Sequence, residues 1–333
     1  MPKKLLGVLI SGLVCAVGAL GSDFGLRLYG GWSYTDGGDL NKSITGWREY
    51  YGDRRSAGFS SSYNLGAMHS ASELGAEAVL ALSRQWNLSL GIGYISQKTS
   101  GQIFTRSVGH EEVTDSFPEP GAVDFEQTTE QRPDYTLLTI PVTLSLDYAF
   151  ALGPRWRLTL GGGGGIYWGR LDLQESYNIL SESVAEEPTA NGIVRYIDQL
   201  RTTGEYSEEL TSRGFGLHGR LGLEYWLSSS TFLSVAVLGR WVNMKGWEGS
   251  RRDASEWQWV YGLWGANSAE GQDERTEDGR LWKHDLRDDV TGESYPILVF
   301  GESAPSSGSR PARINLSGFS VRLGLGFRFG GKA

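Results

Sequence analysis

Ionisable residues recur in this chain at alternate positions among apolar ones. Arg27 lies between Leu26 and Leu28, Glu77 between Ala76 and Ala78, and Asp147 between Leu146 and Tyr148. Arg157, Glu224, Arg322 and Arg328 are flanked by apolar residues in the same way, and His218, Arg220 and Arg240 keep that phase beside glycine. Alternation puts such residues on one face of a strand and the apolar residues on the other. Carboxylates facing guanidiniums on one enclosed face should pair, because unpaired buried charge is costly. The chemistry on offer is either a narrow ion path or a solid polar plug. In a barrel of eight strands the plug is the expectation, since the interior holds side chains and little more.

Other candidates are weaker. His69-Ser70 with Glu73 is the one Ser/His/acid cluster in the sequence, and such a cluster arises readily in a polar connection. His110 and His284 lie in polar stretches. Residues 161–165 are all glycine. Strand-like sequence flanks them on both sides, whereas a phosphate-cradling loop opens a helix. They are expected to make room for lumenal side chains and to ease curvature. The acids Glu270, Asp273, Glu274, Glu277 and Asp278 lack calcium-loop spacing and are interrupted by Arg275, so a solvated segment is expected. No catalytic residue, metal site or cofactor is expected.

Eight segments are expected to position the ionisable set. From Phe319 to Phe329 every odd position is large and apolar, and every even one is Ser, Gly or Arg. The same alternation begins near Phe24, Glu73, Trp86, Leu138, Trp156, Phe215 and Leu233. Each run covers the roughly 9–11 residues that a tilted strand needs to cross a bilayer. Short links near 84–85, 151–154 and 228–230 alternate with long polar connections near 36–72, 97–134, 174–212 and 246–312. Segregated short turns and long loops characterise outer-membrane barrels. Membrane-interface girdles are expected from Trp86, Tyr148, Trp156, Tyr225, Phe327 and Phe329 at the short-turn end, and from Trp32, Tyr94, Trp168 and Trp241 at the other. Ten strands are the alternative, with 255–264 and 295–300 crossing as well. That would place a long connection on the short-turn side, so a hairpin extending the barrel outward is preferred. The fourth connection also carries Trp247, Trp257, Trp259, Tyr261, Trp264 and Trp282, which imply a self-packed hairpin or a contact surface.

Residues 1–21 have the form of a cleaved secretory signal: Lys3 and Lys4, an apolar run from Leu5 to Leu20, then small residues. The single cysteine, Cys15, lies within it. Val14 before it argues against a lipoprotein signal. Removing Lys3 and Lys4 takes the net charge from -8 to -10, which argues against nucleic-acid binding. The barrel then spans 22–333. No later apolar run suits a transmembrane helix.

The hairpin from Ile140 to Phe150, followed by Arg155-Trp156-Arg157-Leu158 and the glycine run, resembles the eight-stranded outer-membrane barrel superfamily. That group includes the transmembrane domain of outer-membrane protein A. The resemblance implies an all-β, antiparallel, up-and-down transmembrane barrel with short periplasmic turns and long extracellular loops. It also implies residence in the outer membrane of a Gram-negative-type cell. Lipid, lipopolysaccharide and the barrel-insertion machinery would be its partners. Two departures from the family stand out. Phe329 is followed by four more residues instead of ending the chain, and no peptidoglycan-binding domain follows. The expected role is non-enzymatic and structural or interactive, with an extracellular ligand or protein recognised by the loops. A narrow pore is the alternative, and a lipid A- or phospholipid-modifying enzyme is a more distant one.

Overall fold

The computed structural model describes residues 24–56, 60–113, 121–189 and 192–330. The proposed signal, residues 1–21, lies outside them. Eight strands close into an antiparallel up-and-down ring: β1 (Phe24–Thr35), β3 (Ser70–Ala81), β4 (Trp86–Ser100), β6 (Gly121–Ala151), β7 (Trp156–Thr189), β8 (Gly192–Trp226), β9 (Thr231–Leu263) and β14 (Gly318–Phe329). The ring closes where β1 pairs with β14 from Phe24↔Phe329 to Thr35↔Gly318. The ring therefore has eight members and not ten. Residues 255–264 are the far end of β9, and 295–300 lie in β11 (Ser294–Gly301), outside the ring.

The alternation read from the sequence is realised in three dimensions. Leu28, Leu74, Leu90, Leu144, Leu160, Leu221, Val235 and Leu323 are exposed on the outside, as a lipid-facing band requires. Aromatic pairs edge that band. Phe24 stacks on Phe329 at 4.9 Å, Trp86 meets Tyr148 at 5.0 Å and Trp156 meets Tyr225 at 4.7 Å at the short-turn end. Trp32 and Tyr34 pack against Phe319 at the other.

Segments expected as polar connections are largely strand. In β7 alone, residues 169–189 continue past the band, about 70 Å of strand at about 3.3 Å per residue. β6, β8 and β9 do likewise, while β1, β3, β4 and β14 stop near the rim. Their places are taken by other elements. β10 (Asn267–Arg287) pairs with β9, and β11 pairs with β10. On the other flank β5 (Ile103–Val113) pairs with β6, and β2 (Ser60–Tyr63) pairs with β5. Two short strands, β12 (Arg310–Pro311) and β13 (Arg313–Asn315), pair with β10 and β9.

The gap between the free edges of β11 and β2 is filled by helix α1 (Asp39–Ser56). Covering sheet edges with a helix prevents them from pairing with other chains. Leu298 N–H donates to Ser43 Oγ at 2.9 Å, and Tyr295 O–H donates to Asp53 at 2.6 Å, which fixes α1 on β11. Ser61 O–H donates to the Tyr51 carbonyl at 2.6 Å on the β2 side. Gly46 makes the close approach possible, because a Cβ there would lie 2.1 Å from the Pro296 carbonyl oxygen. The helix lies within 36–72, where the sequence reading expects a polar loop.

Candidate functional site

The interior is organised as three layers stacked along the barrel. The lowest is the charged lumen within the band. Glu77 takes ion pairs from three guanidiniums: Arg27 at 2.7 Å, Arg220 at 2.5 Å and Arg322 at 3.4 Å. Arg27 also reaches Glu224 at 2.7 Å, and Arg220 pairs with Asp147. Glu73 pairs with Arg322, accepts Ser33 O–H at 2.7 Å and lies 3.8 Å from Arg240. His218 Nε2 sits 2.7 Å from Ser145 Oγ. Arg157 is further down, over the Trp226 ring at 4.4 Å, and Arg328 is half-buried near the short-turn end.

Space for this network is made by removing side chains. A Cβ on Gly161 would lie 1.9 Å from Asp147 Oδ1, so the glycine run opposite Asp147 leaves room for the carboxylate that holds Arg220. Two cavities remain among these groups, of about 20 and 10 Å³. Each has room for about one water, which needs roughly 10–15 Å³.

Glu73 is a member the sequence reading omits. It follows the inward phase of its strand and is buried with Arg322. That placement also dissolves the His69-Ser70-Glu73 cluster. Ser70 accepts the Trp32 indole N–H at 2.5 Å, and His69 stacks on Tyr34 at 5.2 Å, while Glu73 points into the lumen.

The second layer is apolar. Leu137, Tyr167, Leu171, Leu210, Val242, Met244, Trp247 and Ile314 are buried together just above the charges. Trp247 and Met244 are fully enclosed. This septum is continuous with Leu40 and Ile44 of α1.

Above the septum lies a chamber of about 560 Å³. Its walls come from α1, β2, β5, β6, β7, β8, β9, β10 and β11. Helix spacing brings Leu40, Ser43, Ile44, Trp47 and Tyr51 to it on one face. Strand period two brings Leu173, Glu175, Tyr177 and Ile179 of β7 to the same space. Cross-strand register assembles the polar groups in two rows: Tyr135, Leu173, Glu208 and Arg251, then Pro133, Glu175, Tyr206 and Asp253.

The charges of the chamber are unevenly matched. Arg251 is engaged through both terminal nitrogens of its guanidinium. It pairs with Glu208 at 3.3 Å and Glu277 at 3.2 Å, donates to Tyr206 Oη at 2.6 Å and covers the Tyr206 ring at 4.4 Å. Asp253 accepts the Tyr177 hydroxyl at 3.0 Å. Glu175 forms no hydrogen bond or ion pair with the described residues, and burial holds its carboxyl above the usual range against the pull of the Arg251 charge. Burial, with Glu175 and Glu277 nearby, pushes Glu208 up to about 7 against the pull of Arg251. Burial also raises Tyr51, to about 12, and Tyr63 and Tyr135, with the negative charge of Glu175 adding to each. Trp47, Tyr51 and Tyr63 form a run of near-parallel rings at 5.8 Å spacing.

None of the chamber's walls is marked as a site in the sequence reading. A signal was present in α1, where Leu40, Ile44, Trp47 and Tyr51 follow helical spacing after Asp39. Two acids of the run in β10 are engaged across the ladder with β9. Glu274 pairs with Arg252 at 2.9 Å and Glu277 with Arg251. Among the described residues no group of three or more His, Cys, Asp or Glu is placed to hold a metal ion. Trp257 packs over Gly271, Trp259 stacks on Tyr261 at 4.2 Å, Trp282 donates to the Gly301 carbonyl at 3.0 Å and Trp264 is exposed at the hairpin tip.

No protein-family model matches the chain, and no curated protein matches it in sequence. Among solved structures it is similar to the outer membrane protein OprG from Pseudomonas aeruginosa, at 12% identity and a TM-score of 0.30, covering 93% of this chain and 97% of that one. OmpT, an outer membrane protein of Vibrio cholerae in trimer form, aligns at 7% identity and a TM-score of 0.13, covering 92% and 100%. The siderophore receptor PirA from Pseudomonas aeruginosa aligns at 8% and 0.11, covering 92% and 80%. Likenesses at such TM-scores do not bear on function, and the fold rests on the closed ring itself.

Proposed function

We propose that this chain is a non-enzymatic outer-membrane barrel whose membrane half is an anchor and whose long-strand half is a ligand-binding chamber on the cell surface. One observation carries the reading: an aromatic-lined cavity of about 560 Å³ stands above a lumen packed with paired charge. Pockets that hold small molecules fall in the range of about 300–1,000 Å³ and combine apolar walls with a few placed polar groups. The charged plug and the apolar septum leave no role for the lumen as a water path, which favours binding over the pore alternative. Short turns on one side and long strands on the other favour chamber exposure to the outside. Export by residues 1–21 and insertion through the machinery that reads Phe329 belong to the same proposal, as do contacts with lipid and lipopolysaccharide at the girdles.

Two measurements test it. The refolded barrel in a planar bilayer should give no resolved channels. Cysteines introduced at Trp264 and Val108 should react with an impermeant maleimide on intact cells. Well-resolved channels that change on neutralising Arg220 would establish the pore reading instead. Protection of both cysteines until lysis would place the chamber on the wrong side.

A further inference from the structure

The chamber is more specific than a generic apolar pocket, because Glu175, which has no hydrogen-bond or ion-pair partner among the described residues, lies among rings. Glu175 projects from β7 beside Tyr177, in the row that carries Tyr206 and next to the row that carries Tyr135. Tyr51 and Tyr63 are close enough for the Glu175 charge to act on both. Leu173 and Ile179 flank it on the same strand face, and Ile297 and Phe300 close the far wall. The single guanidinium in the chamber, Arg251, is spent on Glu208, Glu277 and Tyr206. The lining therefore holds three carboxyls, Glu175, Glu208 and Asp253, against one cation.

A half-buried carboxylate without a partner is unfavourable unless something compensates it. Aromatic faces attract cations through the ring quadrupole, and a cage of rings around a carboxylate suits an ammonium group. An anion would meet uncompensated repulsion here, and a neutral ligand would leave Glu175 unmatched. Apolar residues on both sides of the acid call for an apolar body joined to the charged head.

Building on the binding role proposed above, we propose that the chamber takes an organic cation with an apolar or aromatic body, its ammonium held by Glu175 within the Tyr51, Tyr63, Tyr135 and Tyr177 rings. Glu208 on β8 and Asp253 on β9, the next strands of the same wall, supply a second negative field. Because Glu208 titrates near 7, the field strengthens as pH rises through neutrality. A permanently charged ligand should therefore bind more tightly at pH 8 than at pH 6.

The test uses the refolded full-length chain, with folding verified by heat-modifiable gel migration, and calorimetric titration with three probes sharing one ring. Benzyltrimethylammonium is the cation, benzyl alcohol the neutral compound and phenylacetate the anion. The cation should bind saturably and at least tenfold more tightly than either of the others. Glu175→Gln should weaken the cation at least tenfold and leave benzyl alcohol unchanged. Glu274→Gln, in an exposed pair outside the chamber, should change nothing. Tyr51→Leu on α1 provides a second variant, and it should weaken the cation more than the alcohol. Equal binding of cation and alcohol, with no effect of Glu175→Gln, would overturn the cation assignment and leave the binding role standing. Preferential binding of phenylacetate would overturn it as well. If none of the three binds, the assignment falls, and the conductance and surface-labelling results decide separately whether the anchored, non-conducting reading survives.

Discussion

The membrane half and the chamber half of this molecule share four strands, yet their interiors follow opposite rules. In the membrane half every guanidinium of the central network meets a carboxylate, and Glu77 alone serves three of them. In the chamber half Arg251 is paired and Glu175 is left unmatched beside a cavity of about 560 Å³. Both interiors are lined by alternate residues of β6 to β9. The other half of each wall differs. Below, four more barrel strands complete the hydrogen-bonded ring. Above, two short sheets and a helix complete it, and side-chain contacts close the last gap. A closed ring of eight strands is filled by its own side chains. Substituting a helix for strands alters the wall and leaves space. The difference teaches that the sealed lumen and the open chamber are consequences of wall composition, since the same strands run through both.

The sharpest way to break the comparison is at its most crowded point. Glu77→Ala should leave Arg27, Arg220 and Arg322 without their shared partner and cost at least about 3–5 kcal/mol, as breaking buried ion pairs does. The folded form on an unheated gel should then melt at a markedly lower temperature. An unchanged midpoint would mean that the network does not hold the membrane half together. Trp247→Ala removes the largest fully buried side chain of the septum and should cost about 3–5 kcal/mol. Its effect should appear as proteolysis of the long strands, while the membrane half keeps its gel shift. Simultaneous loss of both would show that the halves are one cooperative unit.

A smaller effect is expected at the helix seat. Gly46→Val would drive a side chain into the Pro296 carbonyl and should cost about 1–3 kcal/mol. Lifting α1 from β11 should abolish binding of the quaternary probe while the barrel remains folded. The smallest effect is on pH. Folded Glu208 keeps its proton to about 7, whereas an unfolded glutamate releases it near 4.3. Between those values the unfolded chain gains by deprotonation, so stability of the chamber falls as pH rises and levels off above about 7. Glu175, raised in the same direction, adds to the slope. The long-strand half should resist proteolysis better at pH 5 than at pH 8. Glu208→Gln should flatten that difference, and an unaltered slope would assign it to other groups.

The eight barrel strands were legible because each repeats one period with an uninterrupted apolar face. Phe319–Phe329 carries the signal at its clearest, and its register with β1 follows from it. Glu73 obeyed the same period and could have been read. The long connections were misread for a physical reason. Beyond the exposed apolar band nothing demands a purely apolar outer side, so β7 and β8 continue as strands with polar residues on both faces. Alternation of hydropathy disappears while the backbone ladder persists. For α1 the apolar stripe exists but is diluted by Gly46, Gly52 and charged residues.

The sequence by itself determined the exposed apolar band, the number of strands in the ring and the inward phase of the charged residues. All of these depend on period and on the cost of polar groups in hydrocarbon, which act locally along each strand. Tertiary structure alone decided which charges meet, where the septum lies and that a chamber exists. Glu175, Tyr51, Tyr63 and Tyr206 come from separate elements. They share a space only because α1 closes the gap between two sheet edges, a juxtaposition set by long-range packing that no local pattern encodes.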